Sequence, residues 1–445
     1  MKELRIYNTK TLQNEVFKPL KEGEVKMYVC GPTVYGDIHI GNARPVVVFD
    51  TFRRLLEAIG YDVKYVSNYT DVDDKIIKEA KRRGITEKQL TEEMIEAFQK
   101  VRKDLNTEPL YRAPKVTETM DQIIAFIKEL VDKGYAYEVN GDVYFDTSSV
   151  ASYGELSHQN TEDLKVGARI DENEQKRSPL DFALWKKTDE GIKWESPFCL
   201  GRPGWHTECV VMINNELGPL IDIHGGGKDL RFPHHENERA QSMAINNSEL
   251  ANYWMHNGML TFGGEKMSKS LGNIILAKDA IAKHGANVVR WLLLSGQYRD
   301  SLSFTEETLD IAANELNKVL NAVKSAELKL VLADYHSDEF DQESYDRFLD
   351  AMLDDLNTPN AYTEIYEMTK VINQLQRVRE IDYDKLAKDL NSLLKSLDIL
   401  GIVYPKLELS EEDLDLYHKW DEAKKAKDFE KADAYRQQLM DKGIL

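Results

Sequence analysis

The sequence predicts an α/β protein: a doubly wound, Rossmann-like domain with a parallel sheet and an insertion, followed by an all-α helical bundle. Three observations support this fold class. The first 70 residues follow a strand, helix, strand order, an apolar strand ending in three glycines lies at 220–227, and helical periodicity dominates beyond residue 305. Parallel strands joined by a helix are the unit from which such sheets are built.

The first strand and helix have the clearest patterns. Residues 25–30 alternate as a strand does and end at the turn Cys30-Gly31-Pro32. Apolar residues recur with helical spacing from Gly41 to Ile59, and Asp62–Tyr69 has the pattern of the next strand. Ligands of parallel sheets bind beyond the carboxyl ends of the strands, so we expect the residues after these two strands to form the site. No Gly-x-Gly-x-x-Gly fingerprint occurs, which argues against a nicotinamide enzyme.

The later segments define the predicted domains. Residues 1–305 should form the nucleotide-binding domain, with an insertion at about 110–200 that interrupts it and a helix that starts near Pro233. Residues 306–404 should form the helical bundle, since Leu309–Leu332 and Tyr345–Val378 have helical spacing with few glycines or prolines. Residues 405–445 are predicted to be a small C-terminal segment.

Composition predicts a globular, cytoplasmic protein. The 445 residues, 42% of them hydrophobic, can fill the cores of roughly three domains. The first residues lack the apolar run of a signal peptide, and no stretch approaches the roughly 18 apolar residues of a membrane span. Three scattered cysteines form no disulfide framework, which fits a reducing compartment. We therefore expect no membrane partner, and we expect a monomer.

The net charge of −19 argues against a protein that coats nucleic acid generally, because such binding needs clustered lysine and arginine. Screening limits the reach of charges to about 10 Å at moderate salt, so a local basic patch can still bind RNA. The acidic balance therefore leaves an RNA partner open.

Two separated motifs point to ATP-driven activation of a carboxylate. Lys266 and Lys269 lie three positions apart in a short loop, and His39-Ile40-Gly41-Asn42 lies where a strand gives way to a helix. Two ammonium groups and the free N–H groups of a helix start can bind the same polyphosphate. A lysine-serine loop alone is about as often plain solvated surface as it is a phosphate site. Only the occurrence of both motifs in one chain favours the phosphate site.

A histidine and a glutamate also have the spacing of a metal site. His234 and Glu238 are four residues apart on a predicted helix, so both face the same way. Such a pair is more often an ordinary surface pair, and spacing alone connects it to no cysteine. A zinc hydrolase is disfavoured, because the motif His-Glu-x-x-His is absent. A hydrolase would also leave Lys266 and Lys269 without a role.

The chain resembles the class I cysteinyl-tRNA synthetases over nearly its whole length. Seven motifs in order carry the resemblance: Tyr28–Tyr35, His39–Asn42, Asn68–Lys75, Gly201–His206, Asp222–Gly227, Phe232–Glu238 and Lys266–Ser270. The resemblance implies that cysteine and ATP form cysteinyl-adenylate, and that the cysteinyl group passes to the 3′-terminal adenosine of tRNA(Cys). It also implies a class I catalytic domain at 1–305 and tRNA binding by the helical part, where Met352–Pro359 is the clearest match.

The family match assigns residues to each substrate. It implies catalysis by His39, Lys266 and Lys269, ATP binding by these three with Gly41 and Asn42, and magnesium bound with the ATP. Asn42 departs from the family pattern, which often has a second histidine there. Cysteine would be bound by residues from five segments: Gly31, Thr70, Trp205, His224 and Asp229.

The resemblance also implies one Zn²⁺ per chain, held by Cys30, Cys209, His234 and Glu238, whereas Cys199 matches no ligand and should be a packing residue. Zinc binds a thiolate readily, while a serine hydroxyl stays protonated, so the ion itself can select cysteine without an editing domain.

Two other readings share some of these features. A ligase that joins cysteine to an amino sugar would have the same zinc and ATP residues, but such enzymes lack an anticodon-binding region. A noncatalytic tRNA-binding protein could have kept the fold. The chain stops at Leu445 with fewer arginines in Lys419–Arg436 than relatives have, so its anticodon contacts stay open.

Overall fold

The computed structural model describes residues 2–159, 175–266, 274–404 and 406–445, and for Lys266 it describes the backbone only. The described strands are β1 (Arg5–Asn8), β2 (Gln13–Val16), β3 (Glu24–Val29), β4 (Asp62–Val66), β5 (Ala136–Val139), β6 (Asp142–Phe145), β7 (Phe182–Lys187), β8 (Gly201–Pro203), β9 (Ile221–Gly227), β10 (Ala251–Asn257), β11 (Leu260–Phe262), β12 (Glu265–Lys266) and β13 (Leu302–Ser303).

The described α-helices are α1 (Ile40–Ala58), α2 (Asp74–Arg83), α3 (Glu87–Asp104), α4 (Met120–Asp132), α5 (Glu208–Glu216), α6 (Glu236–Asn246), α7 (Ala277–His284), α8 (Ala286–Leu293), α9 (Glu306–Leu332), α10 (Gln342–Met352), α11 (Thr358–Leu375), α12 (Tyr383–Leu400), α13 (Glu411–Lys425) and α14 (Phe429–Asp441). A 3₁₀ turn at Lys228–Leu230 and a π-helical turn at Arg231–His235 lead into α6.

A four-stranded sheet with the order β10-β9-β3-β4 lies at the centre of the N-terminal part, and its neighbouring strands all run parallel. Alternate residues of β3 enter different cores: Met27 packs with α1, whereas Tyr28 packs with α4 and α5. Helices therefore cover both faces of the sheet, as the period-2 pattern requires when both faces are buried. The predicted doubly wound α/β class is confirmed.

A separate antiparallel sheet of β5-β6-β7-β8 interrupts the parallel one between β4 and β9. Its buried side chains, such as Phe145, Leu184 and Trp185, join the core that also covers one face of the parallel sheet. The insertion therefore packs on the central sheet rather than standing apart from it.

Helix α1 is tied to the helical bundle by a buried ion pair. Arg290 of α8 pairs with Asp50 of α1, and both side chains are 1% exposed. The same guanidinium donates to the carbonyl oxygens of Leu400 and Leu105 and to the hydroxyl of Thr51 (3.2 Å). A buried charge must be paired and hydrogen-bonded in this way, so the cluster fixes α1 against the end of α12.

The structure breaks one of the predicted helical segments of the C-terminal part into two helices. A continuous helical pattern spans Tyr345–Val378, but the structure ends α10 at Met352 and begins α11 at Thr358. Asp355, with a φ of 56°, lies in this break, and its buried carboxylate accepts from Tyr7 N–H (2.8 Å) and Tyr298 O–H (2.9 Å). A local start signal also marks the break, because Asn357 caps α11 and Pro359 lies in its first turn.

The C-terminal helices α13 and α14 form a hairpin that packs on α9. Leu328 of α9, Leu439 and Ile444 share a small core, and the Lys324 ammonium donates to the carbonyl of Leu445 (3.2 Å). Among the helices that the structure describes, none is both long enough and apolar enough to cross a membrane.

Candidate functional site

The site lies where the order of the parallel strands reverses. From β3 the chain crosses by α1 to β4 on one side, whereas β9 pairs with β3 on the other side. Cys30 follows the carboxyl end of β3, and its N–H donates to the carbonyl of Gly225 in β9 (3.3 Å). A crevice at such a switch point is the usual ligand site of an open α/β sheet.

Four side chains from distant parts of the chain converge in this crevice: Cys30, Cys209, His234 and Glu238. Their ligand atoms all lie within 4.8 Å of one another, and all but Cys30 are buried. Cys209 is in the first turn of α5, His234 in the turn before α6, and Glu238 in the first turn of α6. The structure thus brings together the four residues that the family resemblance implied as ligands.

Three of the distances between these atoms are close to those around a tetrahedral zinc ion. With zinc bonds of roughly 2.3 Å to sulfur and 2.0–2.1 Å to nitrogen or oxygen, the edges should be about 3.8 Å between two sulfurs and about 3.5 Å between sulfur and nitrogen or oxygen. The sulfurs of Cys30 and Cys209 are 3.7 Å apart, Cys30 Sγ is 3.5 Å from Glu238 Oε1, and Cys209 Sγ is 3.7 Å from His234 Nε2. The His234 Nε2 to Glu238 Oε1 distance of 2.8 Å is shorter, because these two atoms form a direct ion pair.

The charges in the cluster are set by burial and by mutual contact. Burial raises the pKa of the Cys30 thiol well above its usual range, whereas the hydrogen bond from Cys30 lowers the pKa of Cys209 to about 6. Burial works against protonation of His234, but the Glu238 carboxylate raises its pKa to about 10. Burial alone would raise the pKa of Glu238, yet the charges of His224 and His234 hold it well below its usual range. These shifts leave a thiolate at Cys209 and a carboxylate at Glu238, with protons on Cys30 and His234. Once Cys30 and His234 lose those protons, the four side chains form a donor set suited to a divalent cation.

Further histidines surround the four residues, and sequence reasoning identified only one of them, His224, for this pocket. His224 Nε2 lies 2.6 Å from Glu238 Oε2, and His206 Nδ1 lies 3.1 Å from His234 Nδ1. Such outer partners orient metal ligands and set the tautomer of a histidine. The signal that could have found them is composition, since the chain has only ten histidines and two of them are adjacent at 234 and 235.

His235 offers a second, overlapping set of ligands. Its Nε2 lies 3.3 Å from Cys30 Sγ, and its Nδ1 lies 2.8 Å from His256 Nε2. Cys30, His224, His235 and Glu238 also have ligand atoms within 4.8 Å of one another. The set with two sulfurs is the softer one and suits zinc better.

Several residues expected to bind cysteine adjoin this cluster: Gly31 follows Cys30, Trp205 contacts His234 and His224 contacts Glu238. Gly31 N–H donates to Asn68 Oδ1 (2.9 Å), and Asn68 in turn donates to Thr70 Oγ1 (3.1 Å). A Cβ at Gly31 would lie 1.7 Å from the carbonyl oxygen of Asn68, so only glycine allows this approach. The Trp205 ring stacks on His234 with 4.3 Å between the ring centroids, although 42% of the residue is exposed.

His224 and Asp229 belong to β9 and to the turn that follows it. His224 is fully buried and stacks on Trp254 at 4.7 Å, and its Nδ1 has no hydrogen-bond partner within the part of the chain that the structure describes. Asp229 lies in the 3₁₀ turn, and a Cβ at Gly227 would come within 2.5 Å of its Oδ1.

The residues expected to bind ATP lie at the start of α1 and in the lysine motif. His39 is the N-cap of α1, and a Cβ at Gly41 would lie 2.9 Å from His39 Nδ1. Asn42 N–H donates to the His39 carbonyl (2.9 Å). Lys266 ends β12, which pairs with β11, and Lys269 lies outside the described residues.

Comparisons with known proteins first define the class. Residues 16–314 match the family model described as the tRNA synthetases class I (C) catalytic domain, and residues 347–404 match the DALR domain. Among solved structures, the LeuRS–tRNA–LeuAMS complex of Agrobacterium radiobacter is similar with a TM-score of 0.62 and 12% identity, covering 89% of this chain and 88% of that one. Methionyl-tRNA synthetase of Mycobacterium tuberculosis is similar with a TM-score of 0.59 and 17% identity, covering 85% and 89%. The fold is that of a class I aminoacyl-tRNA synthetase.

Sequence relatives narrow the class. A cysteine–tRNA ligase of Staphylococcus carnosus is 47% identical, covering 99% of this chain and 97% of the relative. One of Oceanobacillus iheyensis is 46% identical with the same coverage. The chain belongs to the cysteine–tRNA ligase family of class I synthetases, and the resemblance drawn from the seven motifs is confirmed.

Proposed function

We propose that this chain activates cysteine with ATP to cysteinyl-adenylate and transfers the cysteinyl group to the 3′-terminal adenosine of tRNA(Cys). The observation that carries the proposal is the group of Cys30, Cys209, His234 and Glu238, whose ligand atoms lie within 4.8 Å of one another at the switch point of the sheet. A soft ligand set in the substrate crevice of this fold is what selection of a thiol requires.

The proposed metal is one zinc ion held by these four side chains. Zinc bound there would supply a Lewis acid that accepts the thiolate of the substrate as a further ligand. The chain contributes rigid placement, since His224 contacts Glu238 Oε2 (2.6 Å) and His206 contacts His234 Nδ1 (3.1 Å). A site that depends on one strong polar contact rejects an analogue lacking it by on the order of 10⁴ or more, so serine needs no editing step.

The rest of the cysteine molecule is proposed to lie between β3, β4 and β9. Gly31 and Thr70 are linked through Asn68, and no side chain can replace the hydrogen at Gly31 without meeting the Asn68 carbonyl. His224 Nδ1 is buried and has no hydrogen-bond partner among the described residues, and a substrate group would supply one. Trp205 would cover the pocket next to His234. Asp229 would face the α-amino group with opposite charge.

ATP is proposed to lie across the N-terminus of α1. The first turn of a helix provides N–H groups and positive dipole to a phosphate, with His39 as the N-cap and Gly41 and Asn42 following it. Lys266 and Lys269 would stabilise charge on the departing pyrophosphate together with magnesium, and most of the rate enhancement would come from positioning and preorganised donors. The same contacts would serve adenylate formation before tRNA binds.

The test combines activity with metal content. Purified chain should contain one zinc ion per molecule by elemental analysis and should catalyse ATP–pyrophosphate exchange with cysteine but not with serine. Addition of tRNA(Cys) should yield cysteinyl-tRNA. An active, metal-free preparation that still rejects serine would overturn the zinc mechanism, and cysteine-dependent exchange without transfer to tRNA would favour another acceptor for the activated cysteine.

A further inference from the structure

Two segments from opposite ends of the catalytic domain pair with each other beside the proposed ATP site. Ile40 N–H donates to the carbonyl of Ile275 (2.8 Å), and Ala277 N–H donates to the carbonyl of Ile38 (3.0 Å). His39 and Leu276 are thereby opposed in a short antiparallel bridge. The chain that returns from the Lys266–Ser270 motif is thus joined by its backbone to the residue that caps α1.

An ion pair lies next to this bridge. Lys278 Nζ is 2.5 Å from Asp37 Oδ2, with the two side chains 50% and 27% exposed. Asp37 precedes His39 by two residues, and Lys278 follows Leu276 by two residues, so the pair joins the same two segments. An exposed pair contributes little to folding stability, because water screens both charges and the side chains lose entropy.

We propose that Asp37 and Lys278 are positioning residues for adenylate formation, and this proposal rests on the function proposed above. Their ion pair holds the backbone at Leu276 and Ala277 in register with His39, and thereby sets the distance between the start of α1 and the chain that follows the lysine motif. A displacement of about 1 Å can reduce the rate of an aligned reaction by about 10²-fold. Loss of the exposed ion pair itself should change folding stability little. Neither residue needs to touch ATP for this effect.

The test compares single, double and charge-reversed variants of Asp37 and Lys278. Asp37→Ala and Lys278→Ala should each lower kcat for cysteine-dependent ATP–pyrophosphate exchange by about 5–10-fold, with KM for cysteine unchanged. The double variant should be no slower than the worse single variant, since both changes remove the same contact. The reversed pair, Asp37→Lys with Lys278→Asp, should recover at least half of the lost rate.

A matched control exists on the same helix. Lys283 pairs with Glu306 at 2.7 Å and is 62% exposed, so Lys283→Ala removes a similar surface pair away from His39 and should leave kcat unchanged. The proposal would be overturned if the double variant lost rate by the product of the two single losses, or if the reversed pair recovered no rate. An equal loss of rate in Lys283→Ala would also overturn it. A loss on Lys278→Ala but not on Asp37→Ala would instead indicate that the ammonium contacts ATP itself.

A second measurement separates this proposal from the proposed function. Hydrogen exchange at the amides of Ile40 and Ala277 should accelerate at least threefold in Lys278→Ala and should not change in Lys283→Ala. If the wild-type chain shows no cysteine-dependent exchange of pyrophosphate, the proposed function fails, while these amide rates still decide whether the pair holds the bridge. Unchanged amide rates would refute the positioning role.

Discussion

Replacement of Arg290 by methionine should destabilise the protein strongly, because this residue carries the buried link between α1 and the helical bundle. The substitution removes the ion pair with Asp50 and the donors to Leu400 O, Leu105 O and Thr51 Oγ1. Removing one partner of a buried pair costs about 3–5 kcal/mol. Asp50 keeps hydrogen bonds from Arg54 Nε (3.0 Å) and Glu108 N–H (2.7 Å), so we expect the lower end of that range, about 3 kcal/mol.

Urea denaturation followed by tryptophan fluorescence would measure this loss, since Trp291 is the next residue and is fully buried against Tyr362. A cost of about 3 kcal/mol corresponds to a fall in Tm of about 6–12 °C for a unit of 150–250 residues. Arg82→Ala is the control: its pair with Glu79 leaves Arg82 71% exposed, so it should cost less than about 1 kcal/mol. An Arg290→Met change no larger than that of the control would refute the reasoning.

Gly401→Ala tests the same cluster from its other side. Gly401 has a φ of 69°, and a Cβ there would lie 2.3 Å from both Cζ and Nη2 of Arg290. The variant should therefore lose stability by displacing the guanidinium as well as by backbone strain. Combined with Arg290→Met it should cost less than the sum of the two single changes, because both act on one contact.

The remaining predictions concern the site. Gly31→Ala should lower cysteine-dependent pyrophosphate exchange by about 10²-fold or more, because its Cβ would lie 1.7 Å from Asn68 O, whereas Gly36→Ala, with no atom within 4 Å of the new Cβ, should retain activity. Lys269→Ala should slow exchange by about 10²-fold while weakening cysteine binding little, and equal losses in both would contradict a transition-state contact. At pH 8, zinc binding to metal-free protein should release about two protons, because the pKa of Cys30 is raised by burial and that of His234 to about 10, and both must be deprotonated to bind. Below pH 6 the number of released protons should approach three, since the pKa of Cys209 is about 6. Zinc affinity should therefore fall as the pH falls. Calorimetry in buffers of different ionisation enthalpy would measure the number of protons released.

The sequence was sufficient to predict the architecture around the first strand and helix. Period-2 alternation at 25–30 and helical spacing after Gly41 correspond to β3 and α1, because both elements bury side chains with a regular period. The break before α11 has a local signal that helical spacing alone overlooks, since Asn357 is the N-cap and Pro359 lies in the first turn. The hydrogen bonds that Asp355 accepts from Tyr7 and Tyr298 have no such signal, because both residues lie far away in the chain. Local pattern predicts elements well and predicts tertiary exceptions to them poorly.

Local patterns also predicted only part of the candidate site. The four-residue spacing of His234 and Glu238 predicted a pair whose side chains do meet, but spacing could not connect this pair to Cys30, which follows β3 in a distant part of the chain. That connection came from resemblance to a family. His235, His256 and His206 were missed as parts of the cluster, because each contacts its partner through the fold and not through a local motif.

The wide separation of Cys30 and Cys209 has a consequence for synthesis of the chain. The two sulfurs lie 179 residues apart in sequence. At translation rates of about 5–20 residues per second, Cys30 emerges from the ribosome roughly 10–40 s before its partner. During that interval the nascent thiol has no second sulfur with which to share a cation, so oxidants and stray metals can reach it before the pocket closes. The pocket around Cys30 can close only after the segments that carry Cys209, His234 and Glu238 have also been made.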